Sequence, residues 1–198
     1  MSNKNLSAEQ IDTNYKKIVE FVEKLGERSE LVKSMLDVLG ERFALCPASS
    51  RLDQHSCFPG GLIEHSLNVL VNALKIRKVF EYDISLESII ITALFHDLGK
   101  IGNLEESYYV EQDSQWHRDK LGELYKYNKN IQFMTVPHRS IFLLQHFGVK
   151  LSQDEMIAIL IHDGQHIDDN KSYKNREPQL ADLIHQADFI ASKQEKRQ

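Results

Sequence analysis

The chain has 198 residues, 41% of them apolar and 27% charged, with a net charge of −5. That length corresponds to one domain, able to bury roughly 70% of the surface that its unfolded chain exposes without any covalent staple. The negative balance excludes broad attraction to extended nucleic acid or to anionic lipid, and the lack of an 18-residue apolar run excludes a transmembrane helix. The two cysteines, Cys46 and Cys57, form neither a metal-type CxxC nor a disulfide framework. They read as reduced thiols of a cytoplasmic protein. The polar stretch from Met1 to Gln10 lacks the apolar core of a secretory signal.

In chain order the signal is helical. Ile11, Tyr15, Ile18, Val19, Val22 and Leu25 recur at three- and four-residue spacing, which predicts a helix over 11–25. Ser29 reads as the N-cap of a helix over 31–45, which Pro47 follows. A polar loop over 48–61 leads to a helix over 62–80. Ser85 caps the next, whose apolar body is 89–98 and which Gly99 and Gly102 end. The segment 107–127 is richer in β-formers, Tyr108 to Val110 and Leu124 to Tyr127, and a short hairpin is predicted there. Pro137 opens a helix to Phe147. Ser152 and Glu155 form a capping box for 154–162. Pro178 starts a last helix over 179–193, and the charged tail from Gln194 reads as frayed. The expected fold is all-α, one compact bundle of about seven or eight helices, with N-terminal helices over 1–46 and a core over 47–192.

Ionisable residues stand in apolar surroundings. The run Ser88 to Phe95 is apolar nearly all round and leads directly into His96-Asp97. A lone carboxylate buried there costs several kcal/mol, so it needs a partner or a cation. His65 shares a helix face with Leu62 and Val69. His162-Asp163 closes the run Met156 to Ile161. Asp188 follows Ile184 by four residues and Leu180 by eight. His138 stands just after Pro137. One histidine on an apolar face is ordinarily a satisfied core residue. Several on separate helices are explained together if the helices converge on one metal site, because a helical bundle must build its polar chemistry between helices.

The order His65, His96-Asp97, Asp188 resembles the H…HD…D pattern of the HD-domain metal-dependent phosphohydrolases. Gly60-Gly61-Leu62-Ile63-Glu64-His65-Ser66 and Leu94-Phe95-His96-Asp97-Leu98-Gly99-Lys100 are similar to the family's flanking segments. The likeness spans roughly residues 47–192. It implies an all-α fold around a metal centre, with His65, His96, Asp97 and Asp188 as ligands of a first ion. Two-metal members add two histidines in the interval where His138 and His162 fall, which implies two divalent ions (Mn, Fe, Mg, Ni, Co or Zn) bridged by Asp97. The chain departs from the cyclic-dinucleotide branch: it has no Gly-Tyr-Pro, and His162-Asp163 stands where that branch has a His pair. The region 55–65 is closer to the HD module of a bacterial 3′–5′ exoribonuclease, whose separate nucleic-acid-binding domain has no counterpart here.

The implied activity is hydrolysis of a nucleotide or related small phosphate ester by a metal-activated hydroxide. The catalytic candidates are Asp97, Lys100, His117 and His55, the two histidines as general acids. Lys100, Arg51 and Arg139 are the candidate phosphate or leaving-group contacts. Trp116, Tyr125 and Tyr127 are core residues or stacking partners for a base. Asp163 is open between ligand and orienter of His162. A catalytically silent nucleotide-sensing module and a di-iron oxygenase use of the same fold are the alternatives.

Overall fold

Serine side chains set four of the helix starts. Ser7 Oγ accepts from the Gln10 amide while the Gln10 side chain accepts from the Ser7 amide, a capping box that opens α1 (Ala8–Val22). Ser152 opens α7 (Gln153–Leu160) with a second capping box, and the Ser85 and Ser114 hydroxyls accept from the amides of Ser88 and His117 to cap α4 (Leu86–Phe95) and α5 (Gln115–Leu121). The remaining helices are α2 (Ser29–Leu45), α3 (Gly61–Val79), α6 (Val136–His146) and α8 (Gln179–Glu195). The computed structural model describes residues 5–197, with these eight α-helices, three 3-10 turns and one two-stranded antiparallel sheet among them. The all-α expectation holds, with a short hairpin where the β-formers lie. No helix among the described residues is long and apolar enough to cross a membrane.

The structure departs from expectation in four places. Ser29 is not a cap but the first residue of α2, entered through the 3-10 turn Gly26–Arg28. The hairpin strands β1 (Tyr109–Glu111) and β2 (Tyr125–Tyr127) pair with Tyr109 opposite Tyr127, and α5 fills the connection between them. The helix expected over 154–162 ends at Leu160, so His162 sits in a turn beyond it. The last helix runs on through Glu195, past the Lys193 end.

Helix α4 is the axis of the fold, with Ile89 to Phe95 all buried. Helices α3, α7 and α8 pack against it, and α3 packs most extensively against α8. A bracing contact holds the start of α2 to the start of α7. Arg28 donates to both oxygens of the buried Glu155, at 3.0 and 2.8 Å, and Glu155 also completes the α7 capping box with Ser152. A second brace fixes the 3-10 turn Leu98–Ile101 to α6. Ser140 Oγ accepts from the Gly99 amide at 2.8 Å and donates to the His96 carbonyl at 2.7 Å. Arg139 donates to the Gly99 carbonyl at 3.0 Å. A Cβ at position 99 would strike the Val136 carbonyl, so glycine is required there by space alone. Gly60 is required by conformation: its φ of 84° lies in the left-handed region as the chain enters α3.

Candidate metal centre

Four stretches of chain converge at the end of α4. His65 comes from the second turn of α3, and His96 and Asp97 from the turn that ends α4. His162 comes from the turn after α7 and Asp188 from the middle of α8. His65, His96, Asp97 and His162 are buried, and the Asp188 side chain is 15% exposed.

Each of the three imidazoles is held by its Nδ1. His96 Nδ1 faces the Ala93 carbonyl at 2.9 Å, His162 Nδ1 the Ile159 carbonyl at 2.7 Å, and His65 Nδ1 the Glu195 carboxylate at 3.1 Å. Carbonyls and carboxylates only accept, so each Nδ1 carries a proton and each Nε2 is the nitrogen left to bind an ion once any second proton is lost. The Nε2 atoms point inward at the carboxylates. His96 Nε2 is 3.4 Å and His65 Nε2 3.8 Å from Asp97 Oδ2. His162 Nε2 is 3.5 Å from Asp97 Oδ1, and His65 Nε2 is 3.0 Å from Asp188 Oδ1. The Nε2 atoms of His65 and His96 are buried without a hydrogen-bond partner. Atoms that share an ion at about 2.1 Å lie about 3.0–3.4 Å apart at octahedral or tetrahedral angles. Most of the separations here are long for hydrogen bonds and close to those of joint ligation.

The donor atoms fall into overlapping groups within 4.8 Å of one another: His65, His96 and Asp188; His96, Asp97 and His162; His162, Asp163 and Asp188. Hard oxygens and imidazole nitrogens in this ratio suit a divalent transition ion. The residues therefore fit a metal, and Asp97 turns Oδ2 towards His65 and His96 and Oδ1 towards His162.

The charges are strongly coupled. Burial pushes the His65 imidazole down, but Asp188 and Glu195 outweigh it and raise its pKa to about 10. His162 is raised to about 9, with Asp97 and Asp163 overcoming burial. Burial opposes ionisation of Asp97 as well, yet Lys100 and His96 hold it well below the usual carboxylate range. Asp188 is held down by His65 against burial. Lys100 Nζ lies 2.6 Å from Asp97 Oδ2, and this pairing raises its pKa although burial lowers it.

Of the remaining candidates, His55 alone joins the cluster. Its ring lies 4.6 Å from that of His65, and it forms a fourth possible donor group with His65 and Glu195. Burial, and then the neighbouring His65 and Lys100, lower its pKa to about 3, so it is neutral at physiological pH. His138 is exposed, with Nδ1 2.6 Å from Thr135 Oγ1, and belongs to none of the donor groups. Arg139 and Ser140 occupy the face of α6 that meets residues 98–101, and a residue about 100° round the helix from Arg139 turns away from it. His117 lies on α5 with Nδ1 2.7 Å from Ser114 Oγ, also outside the donor groups. Arg51 pairs with Asp53 at 3.1 Å in a loop. Arg139 is buried, and its guanidinium donates to the carbonyls of Gly99 and Met134, so it braces the fold and does not face a ligand.

Glu195 is the residue that the sequence did not reveal. It accepts from His65, from Ser56 Oγ at 2.9 Å and from Asn68 Nδ2 at 2.9 Å, and its side chain is 2% exposed. Only a histidine lacking a visible partner for Nδ1 could have pointed to it. His185, on α8, faces the His162 carbonyl through Nδ1 at 2.8 Å and steadies that turn.

Comparison with models of protein families, with curated proteins and with solved structures returns no match. The character of the site rests on its own geometry.

Proposed function

We propose that the chain is a metal-dependent phosphohydrolase of the HD type, acting on a nucleotide or a related small phosphate ester. The observation that carries this reading is the set of buried Nε2 atoms without hydrogen-bond partners on His65 and His96, facing Asp97 and Asp188 with Lys100 alongside. His65, His96, Asp97 and Asp188 would hold one ion, and His162, with Asp97 and with Asp163 within reach, would hold a second. His138 contributes to neither. When bound, such ions lower the pKa of a coordinated water to about 7 and offset the charge of phosphate oxygens.

The chain's own groups do the rest. Glu195 fixes the ring plane of His65, and the Ala93 and Ile159 carbonyls fix those of His96 and His162. Lys100 places an ammonium beside Asp97, where it can move to a phosphate oxygen as charge builds. The test is a screen of Mn²⁺-loaded protein against nucleoside monophosphates, cyclic nucleotides and sugar phosphates, with metal content measured in parallel. Release of phosphate or nucleoside that depends on the metal is expected. Full metal loading with no turnover of any ester would favour a silent sensing module instead.

A further inference from the structure

A surface cleft of about 270 Å³ opens beside the cluster, between the end of α2, the 3-10 turn 98–101 and the hairpin. Its lining is chemically two-sided. Lys100, which contacts Asp97 Oδ2, stands at one end. Tyr109 and Tyr125 contribute from the two strands, their rings 6.3 Å apart, and Leu45 and Pro47 from the end of α2 and the residues after it. Arg42 also lines the cleft, but its two terminal nitrogens donate to the carbonyls of Asn103 and Leu104, so it supplies charge from a fixed position.

We propose that this cleft is the subsite for the leaving group, and that it selects a planar aromatic group the size of one nucleoside. This rests on the reading of the neighbouring cluster as a metal centre for phosphate esters. Three physical points lead to it. The volume lies just under the roughly 300 Å³ of the smaller cavities that hold drug-sized ligands, enough for one nucleoside unit and too little for two stacked bases. The two rings are tilted by 49° to one another, so one gives a flat aromatic group a face to stack on, whatever its hydrogen-bonding pattern, and the other meets it at an angle. A bare sugar gains less: Glu41 and Ser107 offer its hydroxyls polar partners, but Leu45, Pro47 and the two rings strip water from the rest. The cation at one end then meets the phosphate where Asp97 and the histidines lie.

The experiment is calorimetric titration of the full chain with adenosine, and separately with ribose 5-phosphate, in chelator and in Mn²⁺. Adenosine is expected to bind under both conditions, because the cleft needs no ion to hold a base. Ribose 5-phosphate is expected to bind only with Mn²⁺. Tyr125→Ala should weaken adenosine by about tenfold or more, the usual effect of losing one stacking ring, and leave ribose 5-phosphate unchanged. Tyr125→Phe should restore adenosine binding, and Ser107→Trp, which fills the cleft from its lining, should abolish it. Absence of adenosine binding overturns the proposal. So does unchanged binding in both Tyr125→Ala and Ser107→Trp. Adenosine binding without Mn²⁺ uptake counts for the cleft and against the metal centre. Mn²⁺ uptake without adenosine binding counts against the cleft alone.

Discussion

Two buried carboxylate centres can be set side by side. The Glu155 carboxylate is surrounded by what it needs: Arg28, whose Nη1 reaches both of its oxygens, and the donating amide of Ser152. Asp97 and Asp188 are surrounded by imidazoles whose inward nitrogens lack aligned partners, at separations too long or too oblique for hydrogen bonding. Both centres are buried and both join distant parts of the chain. The difference is completeness. A closed pair holds the fold together, whereas Asp97 keeps Lys100 as a direct partner and meets imidazole nitrogens that complete no hydrogen bond with it, an arrangement suited to something else.

Substitutions at the two centres should separate them. The largest effect is expected for Asp97→Ala, which removes the carboxylate common to both sides and leaves Lys100 without its partner. Metal content should fall to near zero, and stability by about 3–5 kcal/mol, as when one member of a buried pair is lost. Glu155→Ala should cost a similar amount of stability in denaturant unfolding while leaving the metal affinity of the folded chain unchanged. Equal loss of metal in both variants would erase the distinction drawn here.

Next comes the pair His162→Ala and His138→Ala. The first should reduce saturating metal from two ions per chain to one by elemental analysis, and the second should leave it at two. A wild type that saturates at one ion would remove the second position. Glu195→Gln keeps the shape of the contact with His65 but not its charge, and metal affinity should weaken by about 10–100-fold, as for other partners of ligating histidines.

The smallest effect is on pH. The raised values of about 10 for His65 and about 9 for His162 mean that both carry an extra proton in the metal-free chain at pH 7. A divalent ion must displace them, so affinity should rise with pH up to that range, with up to two protons released per chain. Both folded values exceed the unfolded one of about 6.5, so their stabilisation is complete below that pH and fades as pH climbs through about 9 to 10. The metal-free melting temperature should therefore fall over that window, and saturating Mn²⁺ should flatten the fall.

The parts of this arrangement that were legible in the sequence are those written in local pattern. Three- and four-residue spacing and serine caps located the helices. Apolar runs ending in His96-Asp97 and His162-Asp163 marked two of the converging turns. What stayed hidden depends on how helices are rotated and on long-range pairing. His138 has a suitable place in the chain order, but the packing of Arg139 and Ser140 turns it outward. Glu195 meets His65 across 130 positions, and its neighbours Gln194 and Lys196 look like an ordinary solvated end. Helix α5 is one short stretch of seven residues with none buried, too brief to show a period.

The carbonyls that hold His96 and His162 belong to the last turns of α4 and α7, three residues before each imidazole. Carbonyls in a final turn have no partner within their own helix. Each imidazole is thus the stopper of the helix that precedes it. Terminating these two helices and aiming two nitrogen donors are one folding event, so the pocket comes into being as the helices end rather than by later adjustment. A chain that has completed α4 and α7 has already built that side of its centre.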